Sequence, residues 1–558
     1  MRTQRIITVA AATAVIAGIA APATATAATP GSAALVGVVV REAPGTAAGP
    51  ERAVAAFGGT VVRELGVIGG FSAKLPADRV EALRGVPGVQ SVSQDAGLTL
   101  QSTEVTDQAG QPGSLYTIAN QVTGASSLWD AGYTGQGVDV AVIDSGVVPV
   151  KGLDDAGKVV YGPDLTLEAN GAAKQKDTYG HGTHMSGIIA GRDVEAKGKK
   201  KGGNSSDFVG MAPDSRIVSV KVADAKGQTD VSQAIAAIDW VVQNRNRNGM
   251  NIRVLNMSFG TDGVQDYLLD PLAYAAEQAW HKGIVVVVAV GNEGFGTGKV
   301  NNPAYDPYLI AVGSDSANGT TTTADDVVSS FSNDGDGTRN PDVIAPGDKV
   351  VSLRSQGSYL DKTYPAGRIG DRLFRGSGTS QAAAVVSGAA ALLLSQRPGL
   401  TPDQVKALLT RTAKPVPGAS QAAQGSGLID LAAARTAATP TNATQTFALS
   451  TGLGSLELSR GSVHVTVGGQ QVRGEVDVRG RSFNAATFAN GLRNGTNWQN
   501  TLTGMTWSGM TWSGMTWSGM TWSGMTWSGM TWSGMTWSGM PWSGMTWSGM
   551  TWSGQGWA

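Results

Sequence analysis

Between residues 121 and 437 the chain repeatedly places a short, nearly unbroken run of β-branched residues ahead of a longer stretch with helical periodicity. The runs include Val138-Asp-Val-Ala-Val-Ile143, Ile217-Val-Ser-Val-Lys-Val222 and Ile284-Val-Val-Val-Val-Ala289; the helical patterns include Val231 to Val242 and Tyr267 to His281. A strand with one wet face alternates apolar and polar residues, whereas a continuous run suits a strand covered on both faces. Strands alternating with helices predict an α/β domain, a doubly wound and mostly parallel sheet. In such sheets reactive groups gather beyond the carboxyl ends of the strands.

With 558 residues the chain exceeds one average domain, and two to four structural units are expected. Its 42 Lys plus Arg against 43 Asp plus Glu argue against a nucleic-acid partner, since phosphates demand a basic footprint. There is no cysteine, so no disulfide can brace the fold and core burial must carry stability. Residues 1–27 read as a signal peptide: Arg2 and Arg5 precede the apolar stretch Ile6 to Ala21, and Ala25-Thr-Ala27 offers a small-residue cleavage site. The chain is therefore expected to be secreted.

Three strings carry chemistry. Val140-Ala-Val-Ile-Asp144-Ser-Gly146 ends a predicted central strand with a carboxylate. His181-Gly-Thr-His184 opens a predicted helix. Gly376-Ser-Gly-Thr-Ser380 leads into a small-residue helix from Gln381 to Leu394. A serine hydroxyl is a weak nucleophile until a base takes its proton, and the base needs a third group to fix its tautomer. Asp144, His181 and Ser380 supply those three groups. Singly, the aspartate could cap a helix and the serine could be an ordinary N-cap. The histidine pair alone offers only two of the three or four ligands a zinc site needs.

The Asp, His, Ser order and the three strings resemble the subtilisin-like serine peptidases. The resemblance extends to Val290-Gly-Asn292-Glu-Gly, which implies that Asn292 supplies the oxyanion donor. Leu255-Asn-Met-Ser258-Phe259-Gly260 resembles the strand lining the family's primary specificity pocket. Lys221-Val-Ala-Asp-Ala-Lys-Gly227-Gln-Thr resembles the opposite wall, where backbone groups pair with an extended peptide. The implied activity is a serine endopeptidase acting on peptide or protein substrates, with no cofactor required for catalysis. Calcium is common in the family, but no carboxylate cluster here can be assigned to it, and the metal question stays open. One departure is visible: where the family commonly has Met-Ala-Ala/Thr-Pro-His after the nucleophile, this chain has Gln381-Ala-Ala-Ala384-Val385.

The flanking segments complete the reading. Residues 28–100 show a β-α-β-β-α-β series, ferredoxin-like in order and similar to the family's propeptide, which implies an intramolecular inhibitor and folding aid. Residues 101–120 are polar with Gly and Pro and read as an exposed linker in which self-processing occurs. The peptidase domain spans 121–437, and 438–502 reads as a small β-rich unit. In 503–558 Trp-Ser-Gly-Met-Thr recurs with a period of five, giving ten Trp-Ser-Gly units between Trp507 and Trp552. That period suits neither a one-faced helix nor a one-faced strand, and a turn-rich stack with one repeat per turn fits better. Such a tail could contact a cell wall. The competing class is a catalytically inactive, protease-like binding or adhesion protein that displays the Trp-rich tail.

Overall fold

The computed structural model describes residues 35–43, 45–65, 70–94, 113–169, 172–196, 207–318, 320 and 322–496, together with short strands between 506 and 553. The signal segment, residues 95–112 (the end of the propeptide and most of the processing region) and the Lys-rich insert at 197–204 lie outside the described residues. The chain divides into two compact units, the first ending at Gly97.

The first unit runs β1 (Leu35–Glu42), a helix Gly49–Ala56, β2 (Thr60–Leu65), β3 (Gly70–Pro76), a helix Val80–Arg84 and β4 (Val89–Gln94). Its antiparallel sheet has the order β2-β3-β1-β4. Alternation along β3 turns Phe71, Ala73 and Leu75 to one face, where they meet Val38, Val40, Val54 and Leu83 in a small core.

The second unit is built on β5 (Asp139–Asp144), β6 (Val159–Asp164), β7 (Arg216–Lys221), β8 (Ile252–Met257), β9 (Val285–Ala289), β10 (Ile310–Ser316), β11 (Val327–Val328) and β12 (Val343–Pro346). The sheet order is β11-β10-β9-β8-β5-β7-β6, with β12 also on β10, and every pair is parallel except β10 with β11. All residues of β5 and β9 are buried, so both faces are covered. One helix pair, His181–Ala190 with Thr379–Gln396, and another, Val231–Asn244 with Pro271–His281, pack against it. After β5 the chain builds β6 and β7 on one side, then crosses to build β8 to β10 on the other. Asp144, the last residue of β5, sits at that reversal, where open α/β sheets leave a crevice.

Four expectations need correction. The helix expected from Tyr267 begins at Pro271, because Asp270 caps it by accepting from the Leu272 and Ala273 amides. Residues 113–120 are not exposed linker: Ser114 caps a short helical segment whose Leu115 and Ile118 are buried in the main core. The unit at 438–502 is not β-rich. Among the described residues its strands are Thr466–Val467 and Gln470–Gln471, with an isolated bridge between Val476 and Ser482, whereas Leu456–Arg460 and Ala485–Asn494 are helices. The alternating valines read as strands instead form a satellite cluster of Val465, Val472 and Val478, while Leu456, Phe483, Phe488 and Leu492 join the main core.

The tail is the fourth case. Its strands pair in parallel with the strand twenty residues on, Thr511 with Thr531 and Thr531 with Thr551, so four repeats, not one, make a coil. Each five-residue unit provides one short strand, and each strand stacks on the one four units further along. Pro541 lies outside the described residues, immediately before the strand Trp542–Ser543, which pairs with Trp522–Ser523. No helix among the described residues is long and apolar enough to cross a membrane.

Candidate active site

Asp144 and His181 meet directly. Both Asp144 carboxylate oxygens lie 2.9 Å from His181 Nδ1. Asp144 is held by the Ser145 amide, which donates to Oδ1 at 2.7 Å. His181 opens its helix close against β5 because Gly182 has no side chain: a Cβ there would stand 2.2 Å from the Gly146 carbonyl. Burial lowers the imidazole pKa, but the Asp144 charge and hydrogen bond, aided by the Asp177 charge, outweigh it and leave His181 above its ordinary value.

Asp177 carries no motif signal in the sequence. It is buried, and its carboxylate accepts from the Thr183 and Gly180 amides and from Ser145 Oγ at 2.6–2.8 Å. It thereby ties the first turn of the His181 helix to the end of β5. An acidic residue just ahead of a predicted helix was the available clue. His184, the second histidine of the string, is buried and accompanies the Phe374 carbonyl at 3.1 Å. Burial, then the His181 charge, lowers its pKa to about 4, so it stays neutral and acts in packing.

Ser380 lies in the first turn of the helix Thr379–Gln396, where amides have no intrahelical partner. Its Oγ donates to the Ser258 carbonyl at 2.9 Å, and Ser258 Oγ donates back to the Ser380 carbonyl at 3.1 Å. Among the described residues no hydrogen bond joins Ser380 Oγ to His181, and such catalytic bonds are often unformed before substrate arrives. The helix runs unbroken through Ala384, where the family commonly has proline. Asn292 is fixed by the same turn: its Oδ1 accepts from Thr379 N at 2.8 Å and Thr379 Oγ1 at 3.0 Å, leaving the Nδ2 protons to point elsewhere.

The two expected substrate edges flank this centre. Ser258 follows β8 and faces Ser380 directly. Gly260 packs on Asn301 and Asn302, where Thr261 and Asn302 exchange backbone hydrogen bonds, and Phe259 packs against the main core between them. Gly227 adopts φ 75°, and a Cβ there would stand 2.6 Å from the Tyr179 ring, two residues before His181. The segment 350–376 forms an antiparallel sheet of β13 (Val350–Leu353), β14 (Arg368–Ile369) and β15 (Leu373–Gly376), with a helix Tyr359–Thr363 between. Among the described residues no group of three or more His, Asp or Glu side chains is placed to hold a metal ion.

Comparison with known proteins agrees with this geometry. The sequence profile of the subtilase family matches residues 135–427, and that of a peptidase inhibitor domain matches residues 12–95. The chain is 35% identical over 319 residues to subtilisin of Bacillus pumilus, covering 56% of this chain and 95% of that protein. It is 32% identical over 385 residues to subtilisin E of Bacillus subtilis, covering 68% of this chain and 83% of that one. To serine protease AprX of Bacillus subtilis it is 38% identical over 282 residues, half of this chain and 61% of the length of that relative. The chain belongs to the subtilase family, and its central domain is that of a subtilisin-like serine endopeptidase.

Proposed function

We propose that the protein is a secreted serine endopeptidase, made as a zymogen and freed by its own activity. Ser380 attacks the scissile carbonyl and forms the acyl-enzyme. His181 accepts the hydroxyl proton and returns it to the leaving amine, and Asp144 holds the tautomer and stabilises the imidazolium. Asn292 Nδ2 and the Ser380 amide stabilise the developing oxyanion. Gly227 on one side and Ser258, Phe259 and Gly260 on the other hold the peptide in extended form. No cofactor takes part. The observation that supports this reading most directly is the His181 Nδ1 bonded by both Asp144 oxygens at the carboxyl end of β5.

The export signal is 1–27, the inhibitory propeptide is the ferredoxin-like 28–100, and processing falls in the part of 101–120 ahead of the buried segment at Ser114. The uncharged Trp-rich tail serves contact with the cell wall. Labelling purified protein with a serine-directed fluorophosphonate tests the chemistry. Modification of Ser380 and loss of both labelling and caseinolysis in Ser380→Ala are expected; an unlabelled mature protein would point to an inactive binding protein. Deleting residues 503–558 while following wall retention and caseinolysis separately tests the tail, and unchanged retention would sink the wall contact.

A further inference from the structure

An aromatic pair stands beside the candidate base with its outer ring uncovered. The Tyr179 ring lies 6.5 Å from the His181 ring, and Tyr359 stacks on Tyr179 at 5.8 Å with planes 16° apart. Tyr359 is 44% exposed, so the outer face of the stacked pair is open to a ligand. The pair is preformed. Tyr359 N donates to the Thr178 carbonyl and Leu360 N to the Tyr179 carbonyl, both at 2.9 Å, and Ser355 Oγ donates to the Asp177 carbonyl at 2.8 Å. The helix bearing Tyr359 is clamped at its buried Asp361, which accepts from Arg354 Nε at 2.6 Å and Arg368 Nε at 2.8 Å. The Gly227 turn closes against the Tyr179 ring, so the pair adjoins the edge expected to hold substrate backbone.

We infer that Tyr179 and Tyr359 form a specificity surface for one flat or bulky apolar substrate side chain next to the scissile bond. This rests on the endopeptidase reading and deepens it. Stacked rings fixed before binding lose little conformational freedom on contact, and aromatic pairing rewards a matching ring over glycine. An anionic side chain would gain nothing there to replace its hydration.

The test is a peptide series varied one position at a time on both sides of the cleavage point, cut by the mature wild-type enzyme, Tyr359→Ala and Tyr359→Phe. The wild type is expected to favour aromatic or large aliphatic residues at one position. In Tyr359→Ala the ratio of kcat/KM for the aromatic over the glycine peptide at that position should fall about two- to twelve-fold, mainly through KM, the range of one aromatic pair. Tyr359→Phe should retain the ratio. An equal loss at every position, or none, overturns the surface. Thermal melting of each variant separates misfolding from lost contact, and if Tyr359→Ala melts early, Tyr359→Leu is read in its place. Protein that neither cuts peptides nor takes up fluorophosphonate defeats the endopeptidase reading and this inference with it; labelled, active enzyme without the positional effect defeats this inference alone.

Discussion

Arg460 should be a keystone of the second unit, and its removal gives the sharpest stability test. The side chain is 1% exposed although it carries a full charge. Its guanidinium donates to Asp230 Oδ2 at 2.7 Å and Oδ1 at 3.3 Å, to Glu457 Oε2 at 3.1 Å, to the Gly474 carbonyl at 2.7 Å and to the Val476 carbonyl at 2.5 Å. Asp230 in turn caps the helix Val231–Asn244 with a capping box. One residue thus joins the segment after 438 to a helix that covers the main sheet. Removing one partner of a buried ion pair costs about 3–5 kcal/mol, because the other charge stays buried. Asp230 keeps donors from Ser232, so Arg460→Ala should fall toward the lower end of that range. Unfolding entropy of about 2.1 cal/mol/K per residue over about 380 residues gives about 0.8 kcal/mol/K, and the substitution should lower Tm by about 4–5 °C. Calorimetry in a Ser380→Ala background, where self-digestion is stopped, measures this. Asp230→Asn completes a double-mutant cycle, with an expected coupling of about 1–3 kcal/mol. A fall below 1 °C, or coupling near zero, would refute the argument that this contact ties the two parts together.

Asn292→Ala should lower kcat about 10²–10³-fold with little change in KM; that magnitude was established for such a donor in subtilisin, a relative of this chain, and is carried over from it. Because His181 must be neutral to act and its pKa is raised above the ordinary value, activity should rise through a limb above pH 6.5, and Asp144→Asn should move that limb to lower pH in a kcat/KM profile. Burial, then the charge of Asp326, pushes Asp315 up to about 8, while burial also raises Asp326, and their carboxyl oxygens find no hydrogen-bond partner besides each other. The folded protein therefore favours the protonated pair, and this contribution is lost as pH rises from the ordinary carboxylate range through about 8. Melting curves from pH 5 to 9 should show Asp326→Asn gaining on wild type as pH rises; parallel curves would defeat this reading.

The elements that sequence made legible are those whose signal is local. The β-branched run ending in Asp144 announces a strand covered on both faces, and the chain reversal at its end explains why the carboxylate falls in the crevice. The three strings could be joined because each sits at an element end, where a short motif fixes the backbone. Contacts between distant segments left no such trace. Arg460 on Asp230 spans 230 residues, and nothing near either residue marks the pairing. Tyr359 on Tyr179 required the path of the segment 350–376, which no local motif foretells. The valines after 463 alternate as a strand would, yet Gly468 and Gly469 allow only two residues on each side to pair. Register in so short a stretch is decided by packing, not by pattern.

The tail's four-repeat coil has a consequence for how its length can change. Each strand lies over the strand twenty residues away, so threonine stacks on threonine and tryptophan on tryptophan in register. Loss or gain of a single five-residue unit would keep that chemical match but move every later strand onto the next of the four stacks. A change of four units leaves every later residue on its original side. Slippage in the coding repeat is thus neutral to the coil only in steps of twenty residues, and natural length variants of this tail should cluster at that interval.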